Sequence, residues 1–345
     1  MSKIINKALF YKEWINVKWV TLLTIVILLF YKVHGVISTL NENKFTMKRS
    51  GYECTSWFNN GLYMRKDSYF FIMIFVVMLL AVILFIGEKN SETQGFIASM
   101  PFTRKEIILN KWIVGVLSLL ISFVVTYIFL SLFYLANIKC LDTTLNPYSD
   151  IVKWLFMDTF QYICIFTFML LAQSVMGNSI VAGIVGAIIP ILPYFIIRLV
   201  RILITTHYGF IQYIVMICNK IEDWLNIYSY NLTYQNWSIT ETNTSWFSYT
   251  NYKLKLLILF ILTCLFLYLS YVSYKKRNLE YNLRLIVFKN LNPIFICCVS
   301  VCSGLLAGYT LGSERLSSFT IWAATFTIIG YFISKVLLKF FSSTK

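Results

Sequence analysis

Eight apolar runs, each close to 20 residues long, constrain this chain more than any other feature. They lie at 20–36, 69–87, 113–136, 155–175, 180–200, 254–274, 293–312 and 319–338. An α-helix rises about 1.5 Å per residue, so some ~20 apolar residues cross the hydrocarbon core of a bilayer. In lipid every backbone N–H and C=O needs a partner within the segment, which makes such runs helices. Composition agrees: 58% of the 345 residues are hydrophobic and 13% charged, against about 45–50% and about 25% in soluble domains. With a mean hydropathy of +0.70, one soluble core could not hide this much apolar surface. The expected fold class is an all-α integral membrane protein. The fourth and fifth runs are parted only by Met176-Gly177-Asn178. No small-residue cleavage site follows the first, which reads as a retained helix.

Thirty Lys and Arg oppose fifteen Asp and Glu, a net charge of +15. On a soluble chain that excess would point to nucleic acid. Here the basic residues sit in short connections between apolar runs, which suits loop ends and anionic headgroups, so the partner is the lipid bilayer and not nucleic acid. With the N-terminus inside, 16 basic residues fall in inner segments of about 70 residues and 14 in outer segments of about 105. The higher inner density predicts both termini in the cytoplasm. Eight Cys occur with no C-x-x-C pair, and His34 and His207 are the two histidines. No metal site, catalytic constellation or bound cofactor is expected. Cys54, Cys140 and Cys218 fall in outer segments, and their pairing stays open.

The long outer segments are 37–68, 137–154 and 201–253. The third begins nearly apolar (202–218) and continues with Trp224, Tyr228, Tyr230, Tyr234, Trp237, Trp246, Phe247, Tyr249 and Tyr252. Rings with a dry and a wet end favour the membrane interface. A re-entrant or interfacial helix followed by an aromatic cap is expected there, in preference to a ninth span.

Before the first run, Ile4, Ala8, Tyr11 and Ile15 recur at helical spacing, with Lys7, Glu13, Asn16 and Lys18 largely on other sides, the pattern of a basic amphipathic helix in the headgroup plane. The segment 87–106 is too polar to cross. Asn90 or Ser91 caps a short helix to Ala98, Pro101 breaks the chain, and Thr103-x-x-Glu106 forms a capping box that starts a helix running through Lys111 into the third span. Phe96, Ile97 and Met100 offer apolar surface to a soluble partner or to lipid.

These residues resemble the signature region of ABC-2 type exporter permeases: Glu88 ending the second span, then Gly95, Ser99, Pro101, Thr103, Arg104 and Lys111. Tyr11-Lys12-Glu13-Trp14 resembles the same family's elbow helix. The resemblance implies a six-span ABC-2 (type V-like) exporter core plus two additional C-terminal transmembrane helices. Its divisions are an elbow helix at 1–18 and a permease core at 19–274, with a coupling helix near 90–99 and an extracellular segment at 201–253. A cytoplasmic loop at 275–291 and an extra two-span hairpin with a cytoplasmic tail at 292–345 follow. It further implies a cytoplasmic ABC ATPase subunit, two copies per complex, touching Glu88, Glu92, Gly95, Phe96, Ile97, Met100, Pro101, Arg104 and Lys105. Tyr11, Glu13 and Trp14 belong to the elbow. A second permease chain, identical or related, is expected because each chain carries one coupling helix. No G-x-x-x-x-G-K-[ST] motif and no Gly-Lys pair occur, so ATP and Mg belong on the partner ATPase.

Asp158 is the single carboxylate inside an expected span. It reads as helix-bonded near the outer end, or as part of a translocation path with Pro190 and Pro193, which interrupt the fifth span. Gly304 and Gly308 form a G-x-x-x-G face that permits close helix packing. Span interiors this poor in charge suit an amphipathic or hydrophobic cargo. Permeases of this size with an aromatic outer cap resemble exporters of amphipathic peptides, such as phenol-soluble-modulin toxins, in bacterial plasma membranes. An antimicrobial-peptide or drug resistance exporter subunit, or a non-transporting sensor subunit of an ABC complex, are the alternatives.

Overall fold

The computed structural model describes residues 7–50, 55–63, 67–89, 102–209, 211–237, 245–277, 285–312 and 316–343. Among them, eight helices are long and apolar enough to cross a membrane, one for each apolar run. In chain order the helices are α1 (Lys7–Leu28), α2 (His34–Ser50), α3 (Trp57–Tyr63), α4 (Asp67–Lys89), α5 (Arg104–Ala136), α6 (Ser149–Val175), α7 (Ser179–Ile188), α8 (Leu192–Tyr208) and α9 (Gln212–Leu225). After the strands β1 (Thr233–Trp237) and β2 (Ser245–Tyr249) come α10 (Tyr252–Lys276), α11 (Asn292–Leu311) and α12 (Leu316–Ser343). The chain divides into two units: Met1–Leu84, Thr103–Phe168 and Tyr230–Tyr268 form one, and Phe85–Phe102, Met169–Ser229 and Leu269–Lys345 the other.

In the first unit, the expected elbow is not a separate element. α1, one π-helical turn (Leu29–Val33) and α2 form a single rod, helical throughout. No Gly or Pro lies between Lys7 and His34 to break it. Tyr11 and Ile15 point outward, while Leu9, Glu13, Val17, Val20, Thr21, Thr24 and Leu28 form the buried stripe. That stripe meets α5 through small hydroxyls: Thr21 and Ser118 share a hydrogen bond of 2.7 Å, and Ser122 donates to the Thr21 carbonyl at 3.2 Å. Small polar residues let membrane helices approach closely and bond across the gap. On the other side of α5, a Cβ on Gly115 would fall 2.0 Å from the Phe166 ring, so that contact requires glycine.

A polar cap covers one end of this unit. α3 is locked through Asn59, whose backbone N–H donates to Asn146 Oδ1 (2.9 Å) and whose side-chain amide donates to Asp150 Oδ2 (2.8 Å) and the Phe247 carbonyl (3.1 Å). Asn59 Oδ1 in turn accepts from the Phe247 N–H at 2.7 Å. The β1–β2 hairpin, antiparallel with Thr233 opposite Tyr249, is therefore docked as an extra strand-like edge would be. The aromatic cap expected at 201–253 thus contains a β-hairpin.

In the second unit, Asn178 caps α7 by accepting from the Ile180 and Val181 N–H groups (2.9 and 3.2 Å). Pro190 is the middle residue of a 3₁₀ turn, Ile189–Ile191, that joins α7 to α8, and Pro193 is the second residue of α8. There the Tyr228 hydroxyl donates to the Ala187 carbonyl at 2.8 Å, satisfying an acceptor beside the interrupted ladder. Residues 202–218 are not one element. They are the end of α8, a reversal at Gly209 (φ 80°) and the start of α9. α9 has 14 residues, a rise of about 21 Å, which is short of a bilayer. Arg201 pairs with Glu222 at 3.2 Å across the α8–α9 reversal. α11 and α12 form a hairpin in which a Cβ on Gly304 would fall 2.7 Å from the Ala323 carbonyl, and Ser303 donates to the Phe326 carbonyl at 3.1 Å.

Candidate functional site

The expected coupling helix near 90–99, with Glu92, Gly95, Phe96, Ile97, Met100 and Pro101, lies outside the described residues. Its two flanks are described, one in each unit. On the C-terminal flank the capping box is formed: the Glu106 N–H donates to Thr103 Oγ1 (3.3 Å) and the Thr103 N–H to Glu106 Oε2 (2.9 Å). Arg104 and Lys105 follow at once, exposed in the first turn of α5. Cations there oppose the helix dipole, so helix stability does not account for them. Two turns on, Lys111 is buried and donates to Glu13 Oε1 at 3.0 Å and to the Leu84 carbonyl. Glu13 is equally buried. Lys12 lies 3.9 Å from the same oxygen with its side chain 46% exposed. The N-terminal helix and the lever are thus joined by a desolvated ion pair. Trp14 stacks on Phe10 with ring centroids 6.4 Å apart, and Tyr11 is exposed.

The N-terminal flank is anchored within the second unit. Tyr274 donates to Glu88 Oε2 at 3.2 Å, and buried Lys89 donates to Gln173 Oε1 at 2.6 Å. Gln173 also donates to the Ser179 carbonyl (2.8 Å), and its own carbonyl accepts from Arg277 at 3.1 Å. Next to it, the Gly177 N–H donates to the Leu285 carbonyl and the Val287 N–H to the Val175 carbonyl. The ends of α4, α6 and α10 and the connection after α10 therefore meet in one hydrogen-bonded knot. Sequence reading missed it because its members come from four separate segments.

A second buried cluster lies in the first unit. Asp158, 1% exposed, accepts from Tyr69 OH (3.1 Å) and Trp154 Nε1 (3.0 Å) at one carboxylate oxygen, and from the Asn231 side chain. The charge of Lys32 acts on it. Lys32 sits on the π-helical turn, donates to the Leu62 carbonyl at 3.0 Å and lies 5.0 and 5.7 Å from the Tyr69 and Trp154 ring centroids. The Trp154 bond, four residues away on α6, is the helix-local one; Tyr69, Asn231 and Lys32 are distant in sequence. Sequence reading missed Lys32, although a lysine inside an apolar run is a signal that could have found it. Pro190 and Pro193 belong to the other unit; Pro190 is buried and Pro193 exposed. Outside the spans, burial and the neighbouring Asp150 carboxylate push the Tyr63 and Tyr249 phenols up from their ordinary range. Cys140 and Cys218 are free thiols, and Cys54 lies outside the described residues.

Eight long apolar helices, whose buried charges are held by partners elsewhere in the chain, define a multi-pass integral membrane protein. Over residues 8–279 the chain matches the ABC-2 family transporter proteins, and it belongs to that family. It is an ABC-2 type permease, the transmembrane subunit of an ABC transporter, and works with an ABC ATPase subunit. The match ends before α11, so the last two candidate spans lie beyond it. No curated protein and no solved structure matches the chain.

Proposed function

We propose that this permease exports amphipathic or hydrophobic peptides, of the phenol-soluble-modulin kind, across a bacterial plasma membrane with both termini in the cytoplasm. The observation that carries the reading is the neutralisation of buried charge. Glu13 is paired with Lys111, Asp158 faces Lys32, and Lys89 is spent on Gln173. Apart from a few buried amides and cations such as Asn110, Gln161 and Lys255, what remains along the helices is aliphatic, aromatic and hydroxylic, a surface that favours a cargo with an apolar face over a sugar or nucleotide. Two ATPase subunits and a second permease chain, identical or related, complete the transporter, and ATP with Mg is held by the ATPase. The ATPase docks on 90–99, where Phe96 and Ile97 supply the apolar contact. Its motion enters through the capped start of α5 and reaches α1 through the Glu13–Lys111 pair. To drive a switch, those contacts must differ in free energy between the two states.

The test is transport in inverted vesicles carrying the permease and its ATPase. ATP-dependent uptake of a fluorescent amphipathic helical peptide, without uptake of a labelled oligosaccharide, is the expected result. ATPase activity stimulated by peptide with no uptake would instead make the complex a sensor. Phe96→Asp with Ile97→Asp is expected to release the ATPase on a sizing column, and a complex that survives removes 90–99 as the docking element.

A further inference from the structure

The surroundings of Lys32 are those of an ammonium site. The amine points at the faces of Tyr69 and Trp154, donates to the Leu62 carbonyl and lies in the field of the Asp158 carboxylate. Carbonyl, carboxylate and aromatic faces around one cation are the set that recognises primary amines in a water-poor setting. One acceptor is left over: Asn231 donates to Asp158, while its own Oδ1 is buried without a hydrogen-bond partner. A lysine used only to neutralise Asp158 would need neither two rings nor a spare acceptor. The Lys32 backbone, moreover, is in the π-helical turn Leu29–Val33, between two regular helices. Such a turn holds one extra residue, and its conversion to α geometry would rotate Lys32 off the cluster. π turns of this kind recur at functional sites.

We propose that this cluster is a binding site for the ammonium groups of a cationic amphipathic cargo, and that Lys32 is its exchangeable internal occupant. The site is empty of cargo when the π turn holds Lys32 in place, and it accepts a peptide lysine or N-terminal amine when Lys32 swings out. This rests on the peptide-export reading, which it extends by assigning a positive charge to the cargo.

The experiment has two arms on the full-length permease in nanodiscs. In the first, Lys32→Ala vacates the cage, and n-butylammonium, the shape of a lysine side chain, is titrated against n-butanol while thermal unfolding is followed. The amine is expected to raise the melting temperature at roughly tenfold lower concentration than the alcohol, and to lose that advantage when Asp158→Asn is added. Equal effects of amine and alcohol overturn the proposal and leave the export reading untouched. In the second arm, labelling of wild-type Lys32 by an amine-reactive reagent is read by mass spectrometry. A lysine-containing amphipathic helical peptide is expected to raise it several-fold, and the same peptide with acetylated lysines is not. Unchanged labelling makes Lys32 a fixed structural cation and overturns the proposal, whatever the vesicle assay says of export. Asp158→Asn, which keeps Lys32, is expected to label without peptide, so the second arm stands even if Lys32→Ala does not fold.

Discussion

Glu13→Leu removes one half of a buried ion pair. In the native protein Lys111 Nζ lies 3.0 Å from Glu13 Oε1, and both side chains are almost fully buried, 1% and 2% exposed. After the substitution the Lys111 ammonium faces only neutral acceptors such as the Leu84 carbonyl. Lys12 does not enter the balance, because its half-exposed amine already has water. An uncompensated buried charge costs about 3–5 kcal/mol, and Lys111→Leu should cost somewhat less, because Lys12 still lies 3.9 Å from the Glu13 carboxylate. Replacing both at once removes the desolvation penalty together with the attraction, so the double variant is expected to lie within about 1–2 kcal/mol of wild type or above it. The cycle therefore yields a coupling of several kcal/mol, opposite in sign to the single effects. The assay is unfolding by SDS of permease purified in detergent, with hydrogen exchange along α1 and α5 to show that the loss is local. Single substitutions that each cost under about 1 kcal/mol, or a double variant equal to their sum, would refute the reasoning. Either result means that water or lipid headgroups reach Glu13 and that α1 is not coupled to the lever by charge.

Asn59→Ala strips three side-chain hydrogen bonds from the cap, keeps the backbone bond to Asn146, and leaves the Phe247 N–H and carbonyl without their Asn59 partners; the expected cost is about 2–4 kcal/mol, read as faster proteolysis and hydrogen exchange in the β1–β2 hairpin. Gly304→Ala places a methyl 2.7 Å from the Ala323 carbonyl and should loosen the α11–α12 hairpin by about 1–3 kcal/mol. Adding Thr327→Ala should not restore it, since the backbone clash stays, and full recovery would show that only the Thr327 side chain was in the way. Tyr63 keeps its proton in the folded cap well above the pH at which an unfolded tyrosine, with a pKa of about 10, loses it. Above that pH the unfolded state binds fewer protons, so stability falls as pH rises; below it the stabilisation is complete. Tyr63→Phe should flatten that alkaline slope by about 1.4 kcal/mol per pH unit, measured as cap unfolding between wild type and variant.

The eight spans were legible because lipid imposes a length and an apolar composition that survive without any alignment. The capping box was legible for a similar reason: Thr103 and Glu106 satisfy each other three residues apart, with no outside help. What escaped depends on distant partners. Tyr11 and Ile15 were legible as an apolar face for the membrane, and they are exposed; the burial of Glu13 was not, because its countercharge lies 98 residues away. The strands β1 and β2 were read as an aromatic surface because they are five residues each and gain their place from distant partners such as Asn59, Ser56 and Tyr63. Lys32 was counted as an outer-loop charge; nothing local announces that the helix carries a π turn there and presents the amine to Asp158.

The long first helix shows where those buried charges belong. From Lys7 to Arg49 it has 43 residues, a rise of about 65 Å, roughly twice what a bilayer core needs. Apolar character alone does not choose which part is in lipid. The charges do. Glu13 and Lys32 are 19 residues apart, a rise of about 29 Å, close to one hydrocarbon thickness. Between them the outward face carries Trp19, Leu22, Leu23, Val26 and Phe30, all exposed and apolar; beyond Lys32 it turns to Asn41, Glu42, Lys44 and Lys48. A buried ion pair is cheapest where its members stay near water in at least one state, and most costly at the bilayer centre. Glu13–Lys111 and Lys32–Asp158 thus sit at the two edges of the same span. Any rigid tilt of α1 that starts at the Lys111 lever has to be answered at Lys32, on the π turn, at the opposite edge.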